Sequence, residues 1–249
     1  ADVLPELPPK LLSRLVLPLR PAQRRSYQRA ERDGIIYLRA LGESVRIEHV
    51  LALIARLKQI CNFCPSTGES SKMDDLKDRL DTLGAEGHKA LVFSQFTNAD
   101  FGARRIAAEI GPHALVYAGH LSALERRDVL ERFRGGAVPA VLILSVRAGG
   151  LGLNLQEASY VVHFDRWWNP SLQAQAEARS HRMGQRCPVN VYTYTCEDTI
   201  EERIEQILDI KRALFQDLVD DVSLDISRVL SRKELFGLFG LQPPLPDLR

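Results

Sequence analysis

Gln175, Arg179 and Arg182 stand four and three residues apart at the end of the chain's densest stretch of chemistry. On a helix that spacing puts the three side chains on one face. Arginine keeps its charge at any physiological pH and presents a planar fork to phosphate oxygens. Two such forks suit a transferring phosphoryl group, where an arginine finger is typically worth about 10³–10⁵ in rate. The plainer alternative is an exposed helix face with incidental arginines. Residues 179–186 also hold Arg186 and His181 with no acid among them, a local basic run that a formal net charge of +1 conceals.

A glycine-rich loop precedes this segment. Between Ser145 and Asn154 lie Gly149, Gly150 and Gly152. Glycines let backbone approach a ligand closely, and their amides can cradle phosphates of a nucleotide or a nucleic-acid strand. A tight structural turn is the alternative. No Lys-Ser/Thr pair follows, so this is not a Walker A loop. The run Tyr160-Val-Val-His-Phe-Asp165 resembles a strand ending in a magnesium-binding aspartate. Arg166 and Trp167 follow it where a catalytic glutamate would stand, so Asp165 reads as structural or supporting.

The elements that must position these residues follow from pattern. Short apolar runs at residues 90–94, 113–117, 140–144, 160–164 and 189–195 read as buried strands. Between them lie helical stretches at about residues 98–110, 122–133, where Ser122 and Glu125 form a capping box, and 171–183. Strands alternating with helices predict a doubly wound α/β fold with a parallel sheet and helices on both faces. Ligands of such sheets bind beyond the carboxyl ends of the strands, where Ser94, Ser145 and Asp165 fall. Residues 1–20 are proline-rich and suit an extended lead-in. Pro21 stands where a first helical residue would. Helical runs follow at residues 23–41, at 46–60 (apolar stripe Ile47, Val50, Leu51, Ile54, Leu57) and at 72–83. The expected organisation is a lead-in and helical subdomain over residues 1–87, a lobe over 88–197, and a long amphipathic helix with a disordered tail over 198–249.

The composition is that of an ordinary soluble protein, 45% apolar and 26% charged over 249 residues. No run approaches the ~18 apolar residues of a membrane span. The N-terminus lacks the basic start and apolar core of a signal peptide. Four scattered cysteines, with one lone Cys61-x-x-Cys64, are too few for a disulfide framework and lack the second pair that zinc wants, and they read as reduced thiols with no structural metal.

In order along the chain stand RLKQICNFCP, SSKMDDLKDRL, Ser94-Gln95-Phe96, YAGH with Glu125-Arg126-Arg127 downstream, SVRAGGLGLNL, WWNPSLQAQAEARSHRMGQ and DTIEERI. This series resembles the second, C-terminal RecA-like lobe of the SWI/SNF-type DNA translocases, a superfamily 2 helicase-like group, over about residues 46–212. The resemblance implies a nucleotide-driven motor half. Arg179 and Arg182 would be arginine fingers reaching ATP and Mg²⁺ held mainly by an N-terminal RecA-like lobe. Gly152, Asn154 and Gln175 would lie against the nucleotide. Ser94, Gln95, Arg126, Ser145 and Trp168 would contact double-stranded DNA, with little regard to sequence. The helix from residue 198 would brace the lobes. Two departures stand out: Ala178 replaces the aspartate usual before the first finger, and Asn62-Phe-Cys-Pro65 replaces the usual Asn-His-Pro. No first-lobe motif occurs in the chain, so alone it should bind ATP poorly and not turn it over. Such a motor would work in a prokaryotic cytoplasm on the nucleoid or, alternatively, in a nucleus. Two other readings stay open here: a DNA- or protein-binding module without hydrolysis, and a self-sufficient Rossmann-type enzyme using residues 149–152.

Overall fold

The computed structural model describes residues 7–136, 140–145, 153–165, 167, 170–214 and 230–244. In chain order the elements are β1 (Lys10–Leu17), α1 (Pro21–Ala40), α2 (Ile47–Asn62), α3 (Ser71–Ala85), β2 (Lys89–Ser94), α4 (Ala103–Ile110), β3 (Ala114–Tyr117), α5 (Ala123–Gly135), β4 (Val141–Ser145), β5 (Ala158–His163), α6 (Pro170–Glu177), β6 (Val189–Cys196), α7 (Ile200–Leu214) and α8 (Arg232–Gly237). The strands form one six-stranded sheet in the order β1-β6-β5-β2-β4-β3, and every pairing is parallel. The doubly wound parallel fold read from the pattern is the fold observed.

β2 and β4 are apolar and buried along nearly their whole length because helices cover both faces. On one face α3 and α4 place Met73, Leu76, Leu80 and Ile106 against Val92, Ile143 and Val162. On the other, Phe133 of α5 and Ala176 of α6 pack on Phe93, Leu142 and Leu144. A third core joins α1, α2, α7 and α8 through Tyr27, Leu57, Ile204 and Phe236. The Ser122–Glu125 capping box forms as expected, with the Glu125 carboxylate accepting from Ser122 N at 2.7 Å. A second box, Ser231–Glu234, opens α8 and was there to be read in the sequence.

Two elements differ from expectation. Residues 10–17 are not a free lead-in: they form β1, in register with β6 from Lys10 opposite Val189 to Leu17 opposite Cys196. The prolines cluster on either side of this run and none falls within it, so all its amides remain available to the ladder, and proline is tolerated just outside a strand. The helix expected from residue 98 starts at Ala103, because the Asn98 side chain accepts from Phe101 N at 2.9 Å and holds a turn there. The expected long helix from residue 198 is α7, described to Leu214; its last part and most of the tail lie outside the described residues.

A buried polar chain joins the helical layer to the sheet. Asn62, at the end of α2, donates to Asp165 Oδ2 (3.1 Å) and accepts from Lys72 Nζ at 3.2 Å. Lys72 also pairs with Glu201 of α7 at 2.7 Å, both side chains fully buried. The other Glu201 oxygen accepts from Cys196 N at 3.0 Å. Removing one partner of such a pair strands a buried charge, at a cost of about 3–5 kcal/mol. Lys72→Met is therefore expected to lower the unfolding free energy by about that amount in a urea titration, and Lys72→Met/Glu201→Leu to recover most of it. Equal losses in the single and double variants would contradict this.

Lys58 is a second fully buried lysine beside this chain. Burial, helped by the charge of Lys72, outweighs the pull of Asp165 and Glu201 and brings its ammonium down to about 8. An unfolded lysine titrates near 10.4. Between those two values the unfolded chain binds more protons than the native one, so the Lys58 contribution to stability rises with pH across that window. The difference in unfolding free energy, wild type minus Lys58→Met, is expected to grow by up to about 3 kcal/mol between roughly pH 7.5 and pH 10.5. A flat difference would contradict it.

Candidate functional site

The residues singled out from the sequence fall into two groups, at opposite ends of β5. The first lies at the carboxyl end of the sheet. Here Asp165, fully buried just past β5, accepts from Ser94 Oγ at 2.5 Å and Gln95 N at 2.9 Å, as well as from Asn62. Its structural role is thus observed, and its two oxygens are taken. The contact expected between Ser94 and a phosphate is not available to its hydroxyl: Ser94 is buried, donating to Asp165 and accepting from Phe96 N at 3.2 Å. What this bonding sets is the course of the loop carrying Gln95, which is half-buried and whose Nε2 has no partner among the described residues. Ser145 is buried at the end of β4. Arg126, in the first turn of α5, donates to the Gly119 carbonyl at 2.6 Å while its Nε has no partner among the described residues. Trp167 packs edge-on to Phe93 and His163, and its indole N–H has no partner among the described residues. Its neighbour Trp168, and Gly152 of the glycine loop, lie outside the described residues.

The second group lies near the amino end of β5. Gln175, Arg179 and Arg182 do not share one helix face, because α6 stops at Glu177. Ala178 N still reaches the Ala174 carbonyl at 2.9 Å, but Arg179 N and Ser180 N turn to carbonyls three residues back, at 3.2 and 3.1 Å. The competition comes from outside the helix. The Arg179 carbonyl accepts from Leu155 N at 3.0 Å, and the buried Ser180 hydroxyl donates to the Ala158 carbonyl. Gln185 then closes the turn, its Nε2 donating to the carbonyls of Gln156 and Ala158 at 3.0 Å each. Gly184 sits at φ 99°, and a Cβ there would fall 2.8 Å from Gln156 Oε1, so the turn requires glycine. Gln175 is half-buried on α6, Arg179 half-buried on the turn, and Arg182 and Asn154 exposed. The Asn154 carbonyl accepts from Arg134 at 3.0 Å.

This turn is moored to the start of the chain. Glu177, buried at the end of α6, pairs with Lys10 of β1 at 2.8 Å and faces His163 at 3.4 Å. Burial raises its carboxyl, but His163 and Lys10 prevail and hold it below the usual range. His181 Nε2 meets the Pro8 carbonyl at 2.7 Å. Sequence reading missed Glu177, which lies beside Ala178 where the acid was sought. It also missed Gln185 as the staple of the turn. Burial lowers the Arg179 guanidinium below its usual value, and the charge of Arg182 lowers it further. Arg179 Nε is buried without a partner among the described residues. The turn thus holds two neighbouring cations, one partly desolvated and with a donor unused, and an anion of high charge is their chemical complement.

Neither group contains a ready metal cage. The described cluster Cys61, Cys196 and Glu201 has both its carboxylate oxygens engaged, by Lys72 and by Cys196 N. Burial pushes the Cys61 thiol up, away from the thiolate a metal needs.

The lobe is thus a parallel α/β sheet with donors at one end of its strands and an arginine turn near the other. Residues 71–184 match the helicase conserved C-terminal domain. The chain is 32% identical, over an alignment of 252 positions that covers 96% of it, to a Bacillus subtilis protein bearing the name ATP-dependent helicase/translocase YwqA, of which it covers 27%. It is 28% identical to the SWI2/SNF2 ATPase C-terminal domain of Sulfolobus solfataricus, with a TM-score of 0.71, covering 94% of this chain and 99% of that one. It is 30% identical to the Sulfolobus solfataricus SWI2/SNF2 ATPase core solved with double-stranded DNA, with a TM-score of 0.73, covering 94% of this chain and 50% of that one. The chain belongs to the SWI2/SNF2-type helicase C-terminal domains. It spans about a quarter of the length of the curated relatives it matches.

Proposed function

We propose that this chain is the C-terminal half of a DNA-dependent ATPase that translocates on duplex DNA, and that it supplies arginine fingers in trans and grips the DNA backbone. The lobe of residues 88–197 would do this work, held by the lead-in and helical subdomain of residues 1–87 and the brace that starts at residue 198. ATP and Mg²⁺ would sit mainly on an N-terminal RecA-like lobe. Asp165, whose oxygens are taken by Ser94, Gln95 N and Asn62, is not free to hold the metal. The observation that carries the reading is the arginine turn: Arg182 disfavours the charge on Arg179, and Arg179 keeps a buried donor unused. A γ-phosphate presented by the partner lobe would relieve both, and its developing charge would bind more tightly in the transition state. Gln175, Asn154 and Gly152 would line the nucleotide side of the closed cleft.

Gln95, Arg126, Ser145 and Trp168 would meet the DNA. Ser94 would act there through Asp165 and the loop course rather than by its own hydroxyl. Phosphate contacts carry little sequence information, so binding would be sequence-tolerant and salt-sensitive. The names of the relatives, an ATP-dependent helicase/translocase and an ATPase core bound to double-stranded DNA, support this partner and this nucleotide.

The test compares ATP hydrolysis by this chain alone with hydrolysis by a longer protein that joins it to an N-terminal lobe carrying a phosphate loop, each with and without duplex DNA. Turnover is expected only from the longer protein and only strongly with DNA. In that protein Arg179→Ala is expected to lower kcat by about 10³-fold or more, with DNA affinity unchanged. Hydrolysis by the 249 residues alone, or a wild-type kcat in Arg179→Ala, would overturn the proposal.

A further inference from the structure

α1 carries a feature that the motor reading leaves unused. Arg25, Arg29, Arg32 and Arg39 are all exposed. Their spacing of four, three and seven residues keeps them on one stripe of the helix. The stripe lies opposite Gln23, Tyr27 and Leu38, the buried residues of α1, so it points directly away from the core. Arg25, Arg29 and Arg39 have no side-chain partner among the described residues. Arg32 pairs with Asp33, the exposed acid that Arg29 would otherwise reach, at 3.3 Å. Exposed Glu43 and Glu48 lie beyond the end of the helix and are paired with none of the four.

The contrast with α5 is informative. There Arg127 and Arg132 are exposed but matched to Glu131 and Asp128 one helical turn away, at 2.7 and 3.7 Å. That is the pattern of a solvated face. On α1 the same spacings bring arginine next to arginine, Arg25 to Arg29 and Arg29 to Arg32, and like charges at these distances repel. Asp33 offsets only Arg32, and Arg25 and Arg29 are left without an acid among the described residues. A polyanion outside the protein would offset their repulsion.

We propose that this stripe is a second nucleic-acid-binding surface, which takes the phosphate backbone of a duplex. From Arg25 to Arg39 it runs about 21 Å at 1.5 Å per residue, enough to follow a strand over roughly six base-pair steps. The charges are all arginine, whose fork matches phosphate oxygens in pairs. Position fits the partner as well. α1 begins just past the carboxyl end of β1, and Gln23 is anchored there to the Ile60 and Cys61 carbonyls at 2.8 and 3.0 Å. Asn62, next in the chain, bonds Asp165. The stripe therefore rises from the end of the sheet that carries Gln95 and Arg126, and a duplex gripped at that end has its flank near α1. The surface goes beyond the strand-end contacts proposed above and is separable from them.

The test is fluorescence anisotropy of a labelled, arbitrary-sequence duplex of about 30 base pairs (roughly three helical turns) titrated with this chain at several KCl concentrations. For Arg25→Gln/Arg29→Gln/Arg39→Gln, the slope of log affinity against log salt is expected to fall by about 2–3, near 0.9 for each phosphate no longer neutralised, with affinity at least about tenfold weaker at moderate salt. Thermal melting should not fall, since the three side chains have no partner among the described residues to lose. Arg127→Gln/Arg132→Gln, which removes the same kind of charge from α5, is expected to leave the slope unchanged. Arg126→Gln probes the strand-end contacts separately: a loss there with none in the triple variant means the motor reading stands and this surface does not. An unchanged slope in the triple variant, or an equal loss in the α5 variant, would overturn the proposal.

Discussion

The carboxylate of Asp165 holds this molecule together as a mechanism. It is buried at the point where β5 ends, and it takes three donors from three directions: the end of β2, the loop after β2 and the end of α2. Through Asn62 and Lys72 it is linked to Glu201 on α7. A buried acid of this kind is tolerable only while its lone pairs are used. The strand ends, the helical layer and α7 are therefore locked in one arrangement, since a shift of any of them would leave a charge or an amide unpaired in the interior. The result is specificity of geometry added to the apolar packing around it, and it falls at the end of the sheet where Gln95 and Arg126 are proposed to meet DNA.

The same logic explains how the two ends of the sheet can serve different ligands. The strand-end group is fixed by Asp165. The arginine turn is fixed by bonds at the other end of β5, to the Ala158 carbonyl, to Leu155 N and, through Glu177 and His181, to Lys10 and Pro8. β5 spans six residues, about 20 Å. Short, largely buried and paired on both edges, it is a stiff spacer. A displacement at the carboxyl end of the sheet would be carried to the turn as a rigid shift and not absorbed on the way, which is what the proposed coupling of a grip on DNA to the presentation of an arginine requires.

Much of this was legible in the sequence, and the parts that were not have definite causes. Buried parallel strands announce themselves because both faces are covered, so apolar runs such as ALVF need no alternation to be recognised. β1 was hidden because it is the edge strand: its exposed outer side gives it a mixed pattern, Leu-Leu-Ser-Arg-Leu-Val-Leu, and flanking prolines speak against a strand until one sees that none lies inside it. The helical spacing of Gln175, Arg179 and Arg182 is real in the sequence and absent in the fold. Ala, Glu and Arg all favour helix, and no local signal stops α6. What stops it is tertiary: a carbonyl captured by Leu155 and a serine captured by β5. The hydroxyl of Ser94 departs from expectation for a related reason. A polar residue at a strand end looks offered to a ligand when no sequence shows the acid, 71 residues away, that consumes it.

Charge allocation makes the final point. A formal net charge of +1 suggests a protein with no preference for polyanions, yet the figure is an average over pairs that cancel. Arg14 with Asp209, Arg20 with Asp74, Lys77 with Glu109 and Arg203 with Glu31 neutralise one another across the surface. Acids such as Asp78 and Asp81 on α3 offset further cations in the sum without pairing with the arginines of α1 or of the turn. Among the described residues outside the core, arginine set beside arginine without an acid to match recurs in Arg25 with Arg29 on α1 and Arg179 with Arg182 on one turn. A protein gains nothing in isolation from like charges side by side. Two such arrangements, in a chain that pairs so many of its other arginines, are best understood as halves of contacts whose negative partners are a nucleotide in one case and a nucleic-acid backbone in the other.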